Sequence, residues 1–259
     1  MMNVLKSKTM WVFLLVVLLS VVSFASSAAK EVDVVVIGAG GGGLAAAISA
    51  AENGASVIVV EKMPFLGGNP LLSTGAIYAG SSLLQTRIDA LMPASTIANT
   101  LLRSAAGTAN EELVRFMAAE SGNTINWLET MGVSFLPMAG IALVENGGAG
   151  LISALVNAAQ ARNVEIMLET TATAILMDQG RAVGIAIKDA QGSAGEIAAG
   201  AVVIATGGFA ANRDMVREYK PDFGDLPITC HLGAVGDGIT MAVAVGAAVG
   251  AAGFGETAE

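Results

Sequence analysis

The sequence predicts an α/β fold: a parallel sheet with helices on both faces, joined to a three-stranded antiparallel β-meander. Three observations predict it. A continuous, largely β-branched run at residues 32–37 leads into a six-residue turn holding five glycines, then an Ala-rich segment, then a second apolar run at 56–60. Three further apolar runs, at 171–177, 182–188 and 196–204, are separated by short polar turns. Hydrophobic residues make up 54% of the chain and charged residues 14%, with Ala, Val, Ile and Leu dominating, the usual filling of strands buried on both faces.

Taken in chain order, residues 1–29 stand apart. Lys6 and Lys8 precede an apolar run at 10–22, and small residues at 26–29 offer a cleavage site. The run is shorter than the roughly 20 residues of a transmembrane helix. It predicts a Sec-type signal peptide and a periplasmic or secreted protein, with an uncleaved signal as the one route to a membrane. Residues 30–259 form the remaining domain.

Within it, residues 32–37 predict a strand, 38–43 its turn, and 44–52 a helix that Asn53-Gly54 ends. Residues 56–60 predict the second strand of a β-α-β unit. Residues 63–80, rich in Gly, Pro, Ser and Thr, read as a loop with short extended pieces. Residues 86–131 are helical in period, with a start at Asn110-Glu111-Glu112 and a stop at Gly132. A turn at 147–150 leads to a helix over 151–162 and a strand over 164–168. After the meander, a helix starts near Ala211 and another runs to Ala252.

Composition excludes several classes. Thirteen basic residues against 22 acidic give a net charge of −9, which argues against a nucleic-acid partner. A single cysteine, Cys230, rules out an internal disulfide, a Cys-rich zinc site and an iron–sulfur cluster, and no C-x-x-C-H motif is present for covalent haem.

The residues that carry chemistry are Gly38, Ala39, Gly40, Gly41, Gly42 and Gly43, a G-x-G-x-x-G loop between strand and helix. Gly38 permits the tight turn, Gly40 lets backbone approach a pyrophosphate, and Gly43 lets the helix pack close to the sheet. Glu61, 23 residues after Gly38, stands where a carboxylate meets ribose hydroxyls and repels a 2′-phosphate. This is a Rossmann-like dinucleotide site. The choice of FAD over NAD rests on Glu61-Lys62-Met63, Gly67-Gly68-Asn69 and Ser73-Thr74-Gly75.

With those segments in place, the sequence resembles the FAD-dependent flavoprotein family of fumarate reductases and succinate dehydrogenases. It is most similar to flavocytochrome c fumarate reductases and urocanate reductases. The matching stretches include VVVIGAGGGGLAAAISAAENGASVIVVEK, LGGN, STGAIYA, INWLETMGV, GGAGLISAL, AVVIATGGFAAN and GAVGDGITMA, in family order. The resemblance implies a Rossmann-like FAD-binding domain in which residues 38–43 hold the pyrophosphate, and Glu61, followed by Lys62, the ribose. Gly68, Asn69, Ser73, Thr74, Gly75 and Ala76 match the segment beside the flavin and its ribityl chain. Ala172 matches a position near the adenine, Thr206 and Gly207 the return strand, and Asp237 a cofactor-contacting carboxylate with helix N-cap as its other reading.

The family reduces activated alkenes such as fumarate or urocanate by hydride transfer from flavin. The resemblance therefore implies an unsaturated carboxylate as substrate and an external electron donor such as a cytochrome. The family's substrate-clamping His would fall near Ala258, which is not a histidine, and its Arg-His-Arg-Pro stretch has no counterpart before Gly147. The seven arginines read as solvated surface, and the sole histidine, His231, as a structural or exposed residue rather than a catalyst. The expectation is a C-terminally incomplete chain with unassigned catalytic residues and little activity alone. A non-catalytic flavin-binding or redox-partner protein is the alternative.

Overall fold

In the computed structural model, residues 30–249 are described. The signal-peptide expectation for 1–29 and the final residues 250–259 lie outside them. Strand β1 (Lys30–Ile37) runs through the middle of a six-stranded sheet, between β2 (Val57–Val60) and β9 (Ala194–Ile204), and is parallel to both. β6 (Glu165–Met167) extends the parallel side beyond β2, while β8 (Arg181–Lys188) and β7 (Thr171–Asp178) extend the other side antiparallel, giving the order β6-β2-β1-β9-β8-β7.

The meander and the parallel sheet share β9. Its first residues pair with β8, Lys188 opposite Ala194, and its later ones with β1, Ile37 opposite Ile204. The continuous Val and Ile runs of β1 and β2 are buried on both faces, as period-2 side chains in a covered sheet must be. Val36, Val57 and Val59 pack with Leu44, Ala47 and Ile48 of α1 (Gly41–Glu52) and Ile152 and Leu155 of α6 (Gly147–Gln160). Val35, Ile37, Ile58 and Val60 pack the other way, with Ala172, Ile185 and Ile197 of the meander and Met241 of α8 (Asp237–Ala244). The second face is thus covered by the meander as much as by a helix.

Three helix boundaries differ from the sequence expectation. α1 begins at Gly41 rather than 44, because the glycines form its first turn: the N–H of Leu44 already bonds to Gly40 O at 2.9 Å. α6 likewise begins at Gly147 rather than 151. Low helix propensity is overridden where a helix start must pass close to other backbone. α8 closes at Ala244 instead of reaching 252. Gly246 there adopts φ +96°, its N–H bonds to Val243 O and that of Ala247 to Ala242 O, the paired bonds of a Schellman stop.

Segment 63–80 holds more order than a loop, with α2 (Gly68–Leu72) and β3 (Ala76–Tyr78). The helical region 86–131 divides into α3 (Leu83–Thr86), α4 (Ala94–Ser104) and α5 (Glu111–Thr130). Asn110 starts α5 by accepting the Leu113 N–H at 3.0 Å. Residues 133–146, unassigned from the sequence, form the hairpin β4 (Phe135–Met138) and β5 (Ile141–Val144), which joins β3 in a second sheet ordered β3-β5-β4. Helix α7 (Arg213–Tyr219) is capped by the Asn212 side chain. Among the described residues no helix is long and apolar enough to cross a membrane.

Candidate cofactor site

The site forms where the parallel strands end. Leaving β1, Gly38 turns at φ +102° and donates its N–H to Val60 O at 2.8 Å. A Cβ at Gly38 would lie 2.5 Å from Ala205 O, and one at Gly43 would lie 1.9 Å from Gly38 O. Both positions therefore require glycine, and the requirement brings the start of α1 down onto the strand ends. The first-turn N–H groups of α1 have no intrahelical acceptor, and the positive end of the helix dipole lies with them. The mouth of the loop is built for an anion.

Glu61, at the end of β2, is 91% buried by exposure of 9% and borders the resulting cleft. Its Oε2 accepts the Ala39 N–H at 2.9 Å and its Oε1 the Met63 N–H at 2.9 Å. The carboxylate thereby fastens the phosphate loop to β2. Each oxygen keeps a free lone pair, which leaves room for ribose hydroxyls. Thr170, whose N–H bonds to Glu61 O at 2.9 Å, brings Thr171 and Ala172 to the same wall.

The facing wall comes from β9 and α8. Thr206 Oγ1 accepts the Gly238 N–H at 3.1 Å and so fixes the start of α8. Asp237 is the first residue of that helix. Its N-cap is Gly236, without a side-chain cap, so the capping reading of Asp237 is not what the structure shows. Its carboxylate instead pairs with Lys62 Nζ across the cleft.

His231 is 8% exposed, with its ring edge-on to Phe65 at 5.4 Å. Its backbone N–H donates to Asn69 Oδ1 at 2.7 Å, and its Nδ1 accepts the Gly233 N–H at 3.1 Å. Burial pushes the neighbouring Cys230 thiol up from its ordinary range.

The cleft has a volume of about 320 Å³. Of the residues singled out in the sequence, Gly38, Gly40, Gly41, Gly42, Glu61, Lys62, Gly68, Asn69, Ala172, Thr206, Gly207 and Asp237 line it together. Ala39 and Gly43 lie beneath, buried, and shape the loop. Ser73, Thr74, Gly75 and Ala76 are not part of the lining. Ser73 and Gly75 bond to the Gly148 and Val144 N–H groups, and Thr74 and Ala76 face solvent.

Sequence reasoning missed Pro70, Thr170, Thr171, Gly233, Ala234 and Met241, and treated His231 as a structural or exposed residue. Thr170 and Thr171 were accessible to the rule that ligands sit beyond the carboxyl ends of parallel strands, since they follow β6. His231 carried only one signal, its place six residues before Asp237. None of the seven arginines lines the cleft: Arg87, Arg115, Arg162 and Arg217 pair with carboxylates elsewhere, and Arg213 bonds to Gly224 O.

A dinucleotide fits this donor set. The glycine cradle would be filled by any added Cβ at Gly38 or Gly43, the helix start offers N–H groups, and His231 Nε2 is a buried polar atom without a partner among the described residues.

Comparisons with known proteins agree with the geometry. The FAD binding domain model matches residues 33–148 and 142–257. The NADH:fumarate oxidoreductase of Klebsiella pneumoniae (strain 342) is 33% identical over 210 residues, 75% of this chain and 22% of that protein. The urocanate reductase of Eggerthella lenta is 32% identical over 209 residues, 75% of this chain and 34% of that protein. The open conformation of a flavocytochrome c3 fumarate reductase superimposes with a TM-score of 0.80 at 27% identity, over 86% of this chain and 42% of that one. The chain spans well under half the length of each.

Proposed function

The chain belongs to the FAD binding domain family and its cofactor is FAD, and on that premise we propose that it is the cofactor-holding part of a flavin-dependent reductase of activated alkenes conjugated to a carboxylate, such as fumarate or urocanate. The observation that carries the proposal is the single cleft in which the phosphate loop, Glu61 and the Thr206–Asp237 wall converge. Bound there, the flavin supplies hydride for the alkene. This chain's residues bind and orient it: the α1 start and Gly38–Gly40 backbone hold the pyrophosphate, Glu61 the ribose hydroxyls, and the Thr170–Ala172 segment flanks the adenosine end. The segment of Ser73, Thr74, Gly75 and Ala76 beyond α2, exposed except at the buried Gly75, would give the flavin end a surface to lie along.

The relatives support the substrate class through their names, which specify fumarate in one and urocanate in another. One name also specifies NADH, and that of a Shewanella frigidimarina fumarate reductase specifies a cytochrome. An external electron donor is part of the proposal, supported by those names. Export is proposed from the character of residues 1–29.

The chain covers 22% of the length of its fumarate-named relative and 34% of that of its urocanate-named one. The chain alone is therefore proposed to bind FAD stoichiometrically and to reduce alkenes slowly. The test is reconstitution with FAD followed by gel filtration, then reduced viologen with fumarate, urocanate or acrylate. Co-elution of one flavin per chain is expected, with viologen oxidation near background. A colourless protein peak would overturn the cofactor reading, and fast fumarate-dependent oxidation would overturn the division of labour.

A further inference from the structure

Building on the reading that this cleft holds FAD, we propose that His231 is a cofactor-binding residue whose Nε2–H donates to a pyrophosphate oxygen of the dinucleotide. Three contacts fix the ring. The Phe65 and His231 rings pack T-shaped at 5.4 Å and 75°, the Asn69 side-chain Oδ1 accepts the His231 backbone N–H at 2.7 Å, and the Gly233 N–H donates to Nδ1 at 3.1 Å. That last bond fixes the tautomer: Nδ1 is an acceptor, so the proton of the neutral ring sits on Nε2. Nε2 is thereby a donor. It is buried, it belongs to a residue that lines the cleft, and it has no partner among the described residues. Buried polar groups are rarely left so, and a ligand is an ordinary partner for one on a residue that lines a cleft.

The pyrophosphate is the acceptor that the surroundings favour. Asn69, which grips His231, belongs to α2, and α2 is fastened to the phosphate loop. Gly67, the N-cap of α2, donates its N–H to Ala39 O at 3.0 Å and forms a bridge with Gly40, and a Cβ at Gly41 would lie 3.4 Å from Pro70 Cγ. The histidine is therefore referenced to the loop that takes the phosphates. Lys62, the one cation among the described residues that line the cleft, is already paired with Asp237. A neutral N–H donor from His231 adds recognition there without adding charge.

The experiment uses the purified chain freed of flavin, titrated with FAD and separately with ADP, which carries the pyrophosphate without the flavin. His231→Phe keeps the ring against Phe65 and removes the donor; His231→Gln restores one. Expected is a loss of roughly tenfold or more in affinity for both ligands in the Phe variant, largely recovered in the Gln variant. Apo-protein melting confirms that each variant is folded.

Unchanged FAD affinity in the Phe variant, or a loss for FAD with ADP unaffected, overturns the proposal. A wild-type chain that takes up no FAD fails the parent reading instead, so the two failures are distinct. A variant-free readout comes from there being one histidine in the chain. In ¹⁵N-histidine-labelled protein the Nε2–H signal should become protected from solvent exchange when ADP is added. No gain in protection overturns the proposal even where the Phe variant does not fold.

Discussion

The Glu61 carboxylate holds the Ala39 N–H at 2.9 Å, so the residue at the end of β2 fixes the shape of the loop that follows β1. With its other oxygen on the Met63 N–H, Glu61 is a strut for the glycine loop, and the proposed function adds a second role as an acceptor toward ribose. Glu61→Gln keeps the size of the side chain but leaves one buried backbone N–H facing an amide NH₂ or a single acceptor. The expected cost is about 1–3 kcal/mol in apo-protein stability, with FAD affinity falling roughly tenfold or more. Urea unfolding and flavin titration read the two effects separately. Weakened binding at unchanged stability would show that Glu61 acts on the ribose alone.

Two of the three glycines in the first turn of α1 predict a contrast. Gly43→Ala would put Cβ 1.9 Å from Gly38 O, a backbone atom that cannot swing away, whereas a Cβ at Gly42 meets nothing within 4 Å. Gly43→Ala should destabilise the chain by about 1–3 kcal/mol or more, as overpacking does. Gly42→Ala should leave stability the same or raise it by up to about 1 kcal/mol through helix propensity. Thermal midpoints of the two apo variants check the pair. Equal midpoints would mean that α1 can lift off the sheet without cost.

Much of this architecture was legible in the sequence because strand periodicity and the glycine spacing both act locally. Val34–Ile37, the loop and Glu61 read directly, since each is forced by a nearby covalent or steric demand. What was not legible depends on distant backbone. Gly41 and Gly147 begin helices, against their propensity, only because α1 and α6 pass close to Gly38 and Pro70. Asp237 read as a cofactor-contacting carboxylate or as a helix cap, and its pairing with Lys62 is set by how α8 docks across the sheet. His231 joins the cleft through Asn69, 162 positions away, which no window of sequence contains.

Acid should weaken the fold through two surface carboxylates. The Ser56 hydroxyl and backbone N–H, bonded to Asp33 at 2.6 and 2.7 Å, hold its carboxyl below the ordinary value of 3.8. The Trp127 indole N–H, then Arg162, do the same for Glu52, below 4.5. A pKa depressed in the folded state means that the unfolded chain binds the proton more readily. The stabilisation is therefore complete above the unfolded values and is lost as pH falls through the lower folded ones. Urea midpoints of the wild-type chain should decline from about pH 5 downward, and Asp33→Asn and Glu52→Gln should each flatten that decline. A double variant with the wild-type slope would locate the acid sensitivity elsewhere.

The Lys62–Asp237 pair gives a prediction that salt can dissect. Both side chains are partly exposed, at 25% and 34%, so the pair itself is worth at most about 1 kcal/mol in stability. Its larger consequence concerns the cofactor, because both groups line the cleft proposed to receive the pyrophosphate. Lys62→Met removes the cation and leaves the Asp237 carboxylate unneutralised beside the incoming anion. FAD affinity should drop several-fold at low ionic strength, and the drop should shrink as salt rises toward 1 M, where the screening length falls to about 3 Å. Adding Asp237→Asn to Lys62→Met should recover most of the loss, since the repelling charge is gone. Titrations of the single and double variants at two ionic strengths measure this coupling. A double variant as weak as Lys62→Met would show that the lysine contacts the phosphates directly, and that its bond to Asp237 is broken when FAD binds.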